Sequence, residues 1–335
     1  MERLQPLTNE QYDQLEATEL MRMLASLACT HGADPADYYR ARWASSPLAS
    51  SVTKMLTWST KAAVPPGTTT DATWAAPLTA RLTGGFLALV RKASVIGQLG
   101  VTPVPFATPM LVQIAGASCR WVGQGSPKPV TTLGFGSVTL SRLKGGGVVV
   151  VTRELMTFAA PGSELAVQQI LTNELTTFID GTFLSTAAAT PASPAGILAG
   201  VVASADVNAC LSAFFAARPA AVAPTWILSP AAIGKLAPAE TTVPGRFRGF
   251  PLVLSPSAGP NVILVDAPAV SVADDGLELD VSDQALVQMD SAPTDPPTAA
   301  TIMTSLWQDN LVGIRVERFI NWQVPTGAVQ YFVTT

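Results

Sequence analysis

The sequence predicts an α+β protein, because helical and strand patterns occupy separate parts of its 335 residues. Residues 8–30 and 163–185 carry apolar side chains at helical spacing. Residues 109–125 and 135–151 have the pattern of two long strands around a tip rich in Gly and Pro. After residue 206, short helical and strand patterns alternate. The predicted order is therefore a helix, a hairpin, a second helix and a mixed segment.

The N-terminal region divides into a helix and a segment without periodicity. Thr8 and Gln11 have the spacing of a capping box at the start of the first helix. Residues 33–77 lose the helical pattern and are rich in Pro, Ser, Thr and Ala, with scattered Trp residues. We expect residues 33–77 to form an extended arm that lies on another surface.

The hairpin pattern implies a neighbouring surface. In its second half, Val138 and Leu140 alternate with Thr139 and Ser141, as in a strand with one apolar face. Two strands alone are only marginally stable in water. We therefore expect the hairpin to reach onto another molecule.

The second long helix begins at Ser163, a good N-cap residue. Its apolar stripe consists of Val167, Ile170, Leu171, Leu175, Phe178 and Ile179. The patterns that follow predict helices over 206–217 and 230–236 and a strand over 225–228. Residues 305–333 alternate as a closing strand segment.

Composition restricts the function classes. Hydrophobic residues make up 48% of the chain and charged residues only 13%, against about 25% charged in ordinary soluble proteins. No run approaches the roughly 18 apolar residues of a membrane helix, so we expect no membrane partner. The net charge of -4 argues against a dedicated nucleic-acid reader, which has a basic face. Such an apolar chain is expected to cover much of its exterior with copies of itself.

The segment LKGGGVVVVTREL, residues 143–155, is the first candidate site. Lys144 next to Gly145, Gly146 and Gly147 suggests a phosphate-binding loop. Such a loop follows a strand and opens a helix, whereas these glycines stand between two strand-like segments. We therefore predict a flexible strand junction.

Other catalytic and metal-binding patterns are also weak. His31 is the only histidine, which removes most zinc sites and His-dependent triads. Asp274 and Asp275 precede Gly276, but residues 271–282 fail three ligand positions of a calcium loop. We predict a turn between two strands there, and we expect no enzyme activity, no cofactor and no metal.

The ordered set of segments resembles the HK97-type major capsid protein family of tailed bacteriophages. The resemblance begins with RWVGQGSPKPVTTLGFGSVTLSRLKGGGVVVVTRELM, which is similar to the family's hairpin. It continues with SELAVQQILTNELTTFIDGTFLST, similar to the family's spine helix. The elements PAGIL, FRGFPLVLSP, NVILVDAPAVSVADDGLELDVSD and LWQDNLVGIRVERFINWQV follow in order. The resemblance covers roughly residues 80–333.

The resemblance implies an HK97-like capsid fold with an N-arm, an E-loop hairpin, a peripheral domain with the spine helix and an axial domain. The implied division is residues 1–78 for the N-terminal helix and arm, 79–107 for the start of the peripheral domain, 108–151 for the E-loop, 152–203 for the peripheral domain with the spine helix, 204–300 for the axial domain, and 301–335 for the end of the peripheral domain.

The resemblance also implies a function. The chain would self-assemble as hexamers and pentamers into an icosahedral shell enclosing double-stranded phage DNA, held by non-specific contact. Scaffold, portal and decoration proteins are possible further partners. The shell would be assembled in the host cytoplasm and become the virion capsid. One alternative is an encapsulin-like nanocompartment shell, and a remote one is a phosphate-binding enzyme with a Gly-rich loop.

Seven residues are predicted to serve assembly. Gly145, Gly146 and Gly147 are predicted to be a hinge where the E-loop meets the subunit body. Trp121 and Lys128 belong to the hairpin, and Arg153 and Glu154 are predicted contacts between subunits.

Two features of the type member are not expected in this chain. Ser137 stands where the type member has its cross-linking lysine, so we expect no covalent cross-link of that kind. Only about 75 residues precede the shared region, so we also expect no proteolytic maturation.

Overall fold

The computed structural model describes residues 8–29, 34–59, 75–115, 121–122, 134–154, 163–236 and 245–334. Its helices are α1 Asn9–Cys29, α2 Pro35–Trp43, α3 Ala49–Ser59, α4 Ala75–Ala93, α5 Val95–Gln98, α6 Ser163–Phe183, α7 Val207–Ala217 and α8 Pro230–Lys235. Its strands are β1 Thr102–Pro103, β2 Pro109–Ala115, β3 Gly134–Thr139, β4 Lys144–Thr152, β5 Pro224–Leu228, β6 Arg246–Phe247, β7 Phe250–Leu254, β8 Asn261–Asp266, β9 Ser271–Ser282, β10 Leu286–Val287, β11 Thr304–Ser305, β12 Leu311–Gln323 and β13 Val329–Val333.

The start of α1 confirms the predicted capping box. The Thr8 backbone N–H donates to Gln11 Oε1 over 2.9 Å. In return, the Gln11 backbone N–H donates to Thr8 Oγ1 over 3.4 Å. These bonds satisfy two of the amide groups that a helix start leaves without partners.

The extended conformation predicted for residues 33–77 is wrong in its described part, where α2, α3 and the start of α4 are helical. Asp34 caps α2 by accepting the Ala36 N–H at 2.9 Å. Tyr39 and Val52 are fully buried against the subunit's own core. An Asp–Pro helix start and this local apolar spacing outweigh the Pro, Ser and Thr content. Residues 60–74 lie outside the described part.

The first sheet has the strand order β1-β9-β12-β4. β12 lies at its centre and pairs antiparallel with both β9 and β4. The helix α6, predicted over 163–185, packs on α1, α4 and β4, and its Leu171, Leu175 and Ile179 are buried in the main core. Two members of its predicted stripe, Ile170 and Phe178, are about half exposed, at 53% and 54%. The predicted stripe is wider than the helix face that is buried.

The loop character predicted for Asp274, Asp275 and Gly276 is wrong, because β9 continues through them. The register with β12 shifts between Phe319 and Ile320, so that one residue of β9 bulges out. Gly276 has a φ of +109°, a conformation that side chains other than hydrogen disfavour. A bulge of this kind redirects the neighbouring side chain, here the carboxylate of Asp274.

The predicted long second strand of the hairpin is two strands. β3 pairs antiparallel with β2, whereas β4 leaves the hairpin and joins the first sheet. The chain changes partner between Thr139 and Lys144. Within the described residues, β2 and β3 form a separate two-stranded sheet.

The second sheet has the order β13-β8-β5-β7-β6. Trp226, Phe247 and Phe332 form an aromatic cluster in its core, with ring centroids 5.3 Å and 6.5 Å from Trp226. Sheet membership does not follow the predicted segment boundaries. β9, within residues 204–300, belongs to the first sheet, and β13, within 301–335, belongs to the second.

Candidate assembly surface

The three glycines lie within a regular strand. Gly145, Gly146 and Gly147 belong to β4 and pair in register with residues 318, 317 and 316 of β12. The predicted strand junction at these glycines is therefore wrong in its position, whereas their hinge role stays a prediction. The chain passes from the hairpin to the first sheet before them, between Thr139 and Lys144. The paired backbone amides of β4 also lack the strand-to-helix order of a phosphate-binding loop.

Close approach explains two of these glycines. A Cβ on Gly145 would lie 2.7 Å from Phe178 Cε1 on α6. A Cβ on Gly146 would lie 2.3 Å from the carbonyl oxygen of Val316. Such distances are far inside van der Waals contact. A Cβ on Gly147, in contrast, would have nothing within 4 Å. Gly145 and Gly146 are therefore packing positions, and Gly147 tolerates a side chain.

An open groove of about 820 Å³ lies on the outer face of β4. One wall is formed by the sheet through Val148, Val150 and Arg315, and the other by residues 286–293 and Met303. Its apolar side chains are unusually exposed, with Val148 at 52%, Leu286 at 63% and Met289 at 58%. Exposed apolar side chains gathered in this way mark interaction surfaces. We call this the β4 groove.

Charged pairs border the β4 groove. Lys144 Nζ lies 3.1 Å from Glu317 Oε1, and Arg315 forms an ion pair with Asp280. Hydrogen bonding by Asp280 and the charges of Glu317 and Asp280 raise the pKa of Arg315. Lys144, Arg315 and Asp280 are each more than half exposed, so solvent screens both pairs and each contributes little to stability. They give the apolar groove a polar rim, as in protein interfaces.

Arg153 and Glu154 bond within the subunit. Arg153 Nη2 lies 2.7 Å from Asp283 Oδ2, and both side chains are mostly buried. Glu154 accepts a hydrogen bond from Asn310 Nδ2. The two residues therefore tie the end of β4 to the segments before β10 and before β12. Their predicted role between subunits stays a prediction.

Comparison with known proteins connects this fold to viral shells. No family model matches the chain. The capsid polyprotein of Pseudomonas phage PAJU2 is 35% identical over 302 residues, a match that covers 78% of this chain and 45% of that relative. The chain thus spans less than half the length of the curated relative that it matches.

Solved structures share the fold at low sequence identity. A chain of Microbacterium phage Oxtober96 has a TM-score of 0.52 at 13% identity, over 72% of this chain and 90% of that one. A chain of Gordonia phage Cozz has a TM-score of 0.51 at 15% identity, over 73% and 85%. The capsid of a native GTA particle has a TM-score of 0.50 at 12% identity, over 72% and 90%.

The chain has the HK97 capsid fold. The α+β fold class and the family resemblance predicted from the sequence are thereby confirmed. We call α6 the spine helix and the pair β2–β3 the described part of the hairpin, after the segments predicted from the sequence. The β4 groove lies on the face of the sheet opposite the spine helix, because Val148 and Phe178 are on opposite sides of β4.

The hairpin residues predicted to serve assembly are only partly described. Trp121 is fully exposed, at 103% of its reference area. Lys128 lies outside the described residues. An exposed indole of this kind is a typical anchor in protein interfaces.

Four further exposed apolar side chains were not predicted from the sequence. Leu286, Met289, Ile302 and Trp307 are between 58% and 83% exposed. All four stand in or beside a segment rich in Pro, Asp and Thr, residues 283–303. A polar composition predicts a loop, and isolated large apolar residues within it were the available signal for a contact surface.

Within the described ranges of this HK97 fold, no three His, Cys, Asp or Glu side chains are grouped so that they could hold a metal ion. Among these residues, no helix has the length and apolar character needed to cross a membrane.

Proposed function

We propose that this chain is a major capsid protein, the structural subunit of a phage shell. The observation that carries the proposal is the combination of the HK97 capsid fold with 35% identity to a capsid polyprotein. The subunits would assemble as hexamers and pentamers into an icosahedral shell. The product would be the virion capsid, assembled in the host cytoplasm.

The subunit surface supports association with further copies. Val148, Leu286 and Met289 line one open groove and are each more than half exposed. Trp121 on the hairpin is fully exposed. Covering such side chains releases about 25 cal/mol for each Å² of apolar area. A shell made of repeated contacts would cover them on every subunit.

The hairpin supports a contact that crosses from one subunit to the next. β2 and β3 pair with each other and, among the described strands, with no other. A two-stranded sheet needs a surface on which to pack. The E-loop would obtain that surface from an adjacent copy, with Trp121 as its anchor.

The shell would enclose double-stranded DNA without reading its sequence. The net charge of -4 is unlike that of a specific DNA reader. Non-specific contact with DNA requires only local positive charge on the inner surface. Scaffold, portal and decoration proteins would be further partners, and the subunit would have no catalytic role.

Electron microscopy of the expressed chain tests this proposal. The expected result is closed icosahedral particles, either from this chain alone or after co-expression with neighbouring phage proteins. Nuclease-protected DNA in particles made during infection would identify a phage capsid. Particles filled with a protein cargo would instead favour an encapsulin-like compartment. A chain that stays monomeric at high concentration under all these conditions would refute the assembly function.

A matched pair of variants links assembly to the β4 groove. Leu286→Asp places a charge among the exposed apolar side chains of the groove, and we expect it to abolish particles. Leu286→Met keeps the apolar surface, and we expect normal particles. Circular dichroism should show that both subunits are folded. Normal particles from Leu286→Asp would show that the groove is not an assembly contact.

A further inference from the structure

A buried carboxylate joins the spine helix to the α4–α5 corner. Asp180, in the last turn of α6, is 3% exposed. Its two oxygens accept the backbone N–H of Val95 at 3.1 Å and 3.0 Å. Val95 is the first residue of α5, directly after the fully buried Ser94. The Asp180 side chain of α6 therefore binds the backbone at the junction between α4 and α5. We call this contact the joint.

Charged groups from three other elements surround this joint. Arg318 of β12 is 1% exposed and contributes a favourable charge to Asp180. Its Nη2 lies 2.9 Å from Asp274 Oδ2 on β9. Arg91 of α4 binds the same Asp274 oxygen at 2.8 Å. Asp274 is thus shared between two guanidinium groups, and Arg318 Nη1 is buried without a hydrogen-bond partner.

The closed joint gives Asp180 a raised affinity for a proton, because its carboxylate is 3% exposed and a single backbone N–H serves both of its oxygens. Burial raises the pKa of Asp180 from 3.8 to about 6, and the Val95 hydrogen bond and the Arg318 charge offset only part of that effect. A cleft of about 530 Å³ lined by Arg91, Asp274 and Arg318 lies beside the joint. Opening the joint toward this cleft would hydrate the carboxylate and return its pKa toward 3.8.

We propose that Asp180 is a proton-sensitive joint that ties the end of the spine helix to the α4–α5 corner more tightly when it is neutral than when it is charged. The direction follows from linkage, because the state that binds the proton more strongly is favoured as pH falls. The joint is also connected to β4, on the face of the sheet opposite the β4 groove. Phe178, two residues before Asp180, packs on Gly145, which pairs with Arg318. This proposal does not depend on the proposed shell function.

Hydrogen exchange of the Val95 amide in the full chain tests the joint. After correction for the intrinsic pH dependence of exchange, protection in the wild type should be about tenfold greater at pH 5 than at pH 8. Asp180→Asn keeps an oxygen that can accept the amide but cannot titrate, so its protection should be the same at both pH values. Asp275→Asn removes an exposed carboxylate paired with Arg142 and should behave like the wild type.

Two results would overturn the proposal. One is equal protection of Val95 at pH 5 and pH 8 in the wild type. The other is an unchanged pH dependence in Asp180→Asn. If Asp180→Asn does not fold, a carbon-13 NMR titration of the wild-type Asp180 carboxyl group tests the proposal independently. A midpoint near 6 is expected, and a midpoint near 4 would show that Asp180 is an ordinary carboxylate.

Discussion

Phe178 on the spine helix covers Gly145 on β4, so closely that a Cβ on Gly145 would lie 2.7 Å from the aromatic ring. The small size of Gly145 therefore leaves room for the Phe178 ring of α6. A helix and a strand that are joined through residues 153–162 meet again at this contact.

Replacing Gly146 with alanine should destabilise the subunit, because the methyl group would lie 2.3 Å from the carbonyl oxygen of Val316, a backbone atom held in the sheet. Overpacking of this kind costs about 1–3 kcal/mol. Gly147→Ala is the matched control, since its Cβ would meet open space, and its effect should stay within about 0.5 kcal/mol. Urea unfolding measures both. Equal stability of the two variants would contradict the packing role of Gly146.

Removing the Asp274 carboxylate should be strongly destabilising. Asp274→Asn leaves the buried Arg318 charge without its partner, and loss of one member of a buried pair costs about 3–5 kcal/mol. Asp280→Asn breaks the Asp280–Arg315 pair, whose side chains are 60% and 51% exposed, and should cost far less stability because solvent screens an exposed pair. Thermal unfolding of both variants at pH 7 compares them. A similar small loss in both would refute the buried network.

Asp274 and Asp180 should affect acid stability in opposite directions. Hydrogen bonds and charge from Arg318 and Arg91 lower the pKa of Asp274 below its usual 3.8 despite its burial. The contribution of Asp274 to folding stability is therefore fully present above the unfolded-state pKa of 3.8, and it is lost as pH falls through the lower folded-state pKa. The pKa of Asp180 is raised to about 6, so stability from this group decreases as pH rises from about 4 to 6.

The free energy of unfolding measured from pH 8 to pH 3 separates these two contributions. Asp180→Asn should remove the increase in stability between pH 7 and pH 5. The loss of stability below pH 4 should persist in that variant. If Asp180→Asn shows the same pH profile as the wild type, the assignment of the upper transition to Asp180 is wrong.

The thiol of Cys210 should be inert in the folded subunit. Cys210 is fully buried on α7 in the core of the second sheet. Burial also raises the pKa of its thiol to about 12, so almost no thiolate forms at neutral pH. Peptide mass spectrometry after iodoacetamide treatment should find Cys210 unmodified without urea and modified in urea. Rapid modification of the native subunit would contradict this burial.

Local signals explain which parts of the fold were predictable from the sequence. The Thr8–Gln11 capping box and the stripe of α6 involve residues three or four apart, and both helices begin within one residue of the predicted position. The function class followed from the order of such segments. Composition misled at residues 34–59, where a short capping signal at Asp34 opposed it, and at residues 283–303, where it concealed exposed apolar side chains.

Non-local contacts explain what the sequence did not reveal. The reason for Gly145 lies on α6, and the reason for Gly146 lies on β12. The exposed side chains of the β4 groove come from strands far apart in sequence. The joint at Asp180 also combines α6, α4, β9 and β12. Periodicity and spacing within one segment do not predict contacts between residues that are far apart in sequence.

Both sheets take a strand from the C-terminal residues 311–333, and this has a consequence for folding during synthesis. β12 is the central strand of the first sheet, and β13, which follows it, is an edge strand of the second. Neither sheet can close until the ribosome has made residues 311–333. A prematurely terminated chain would lack one strand in each sheet, and its exposed edges would be open to aggregation. Truncated subunits would thus be kept out of any ordered lattice by their own failure to fold.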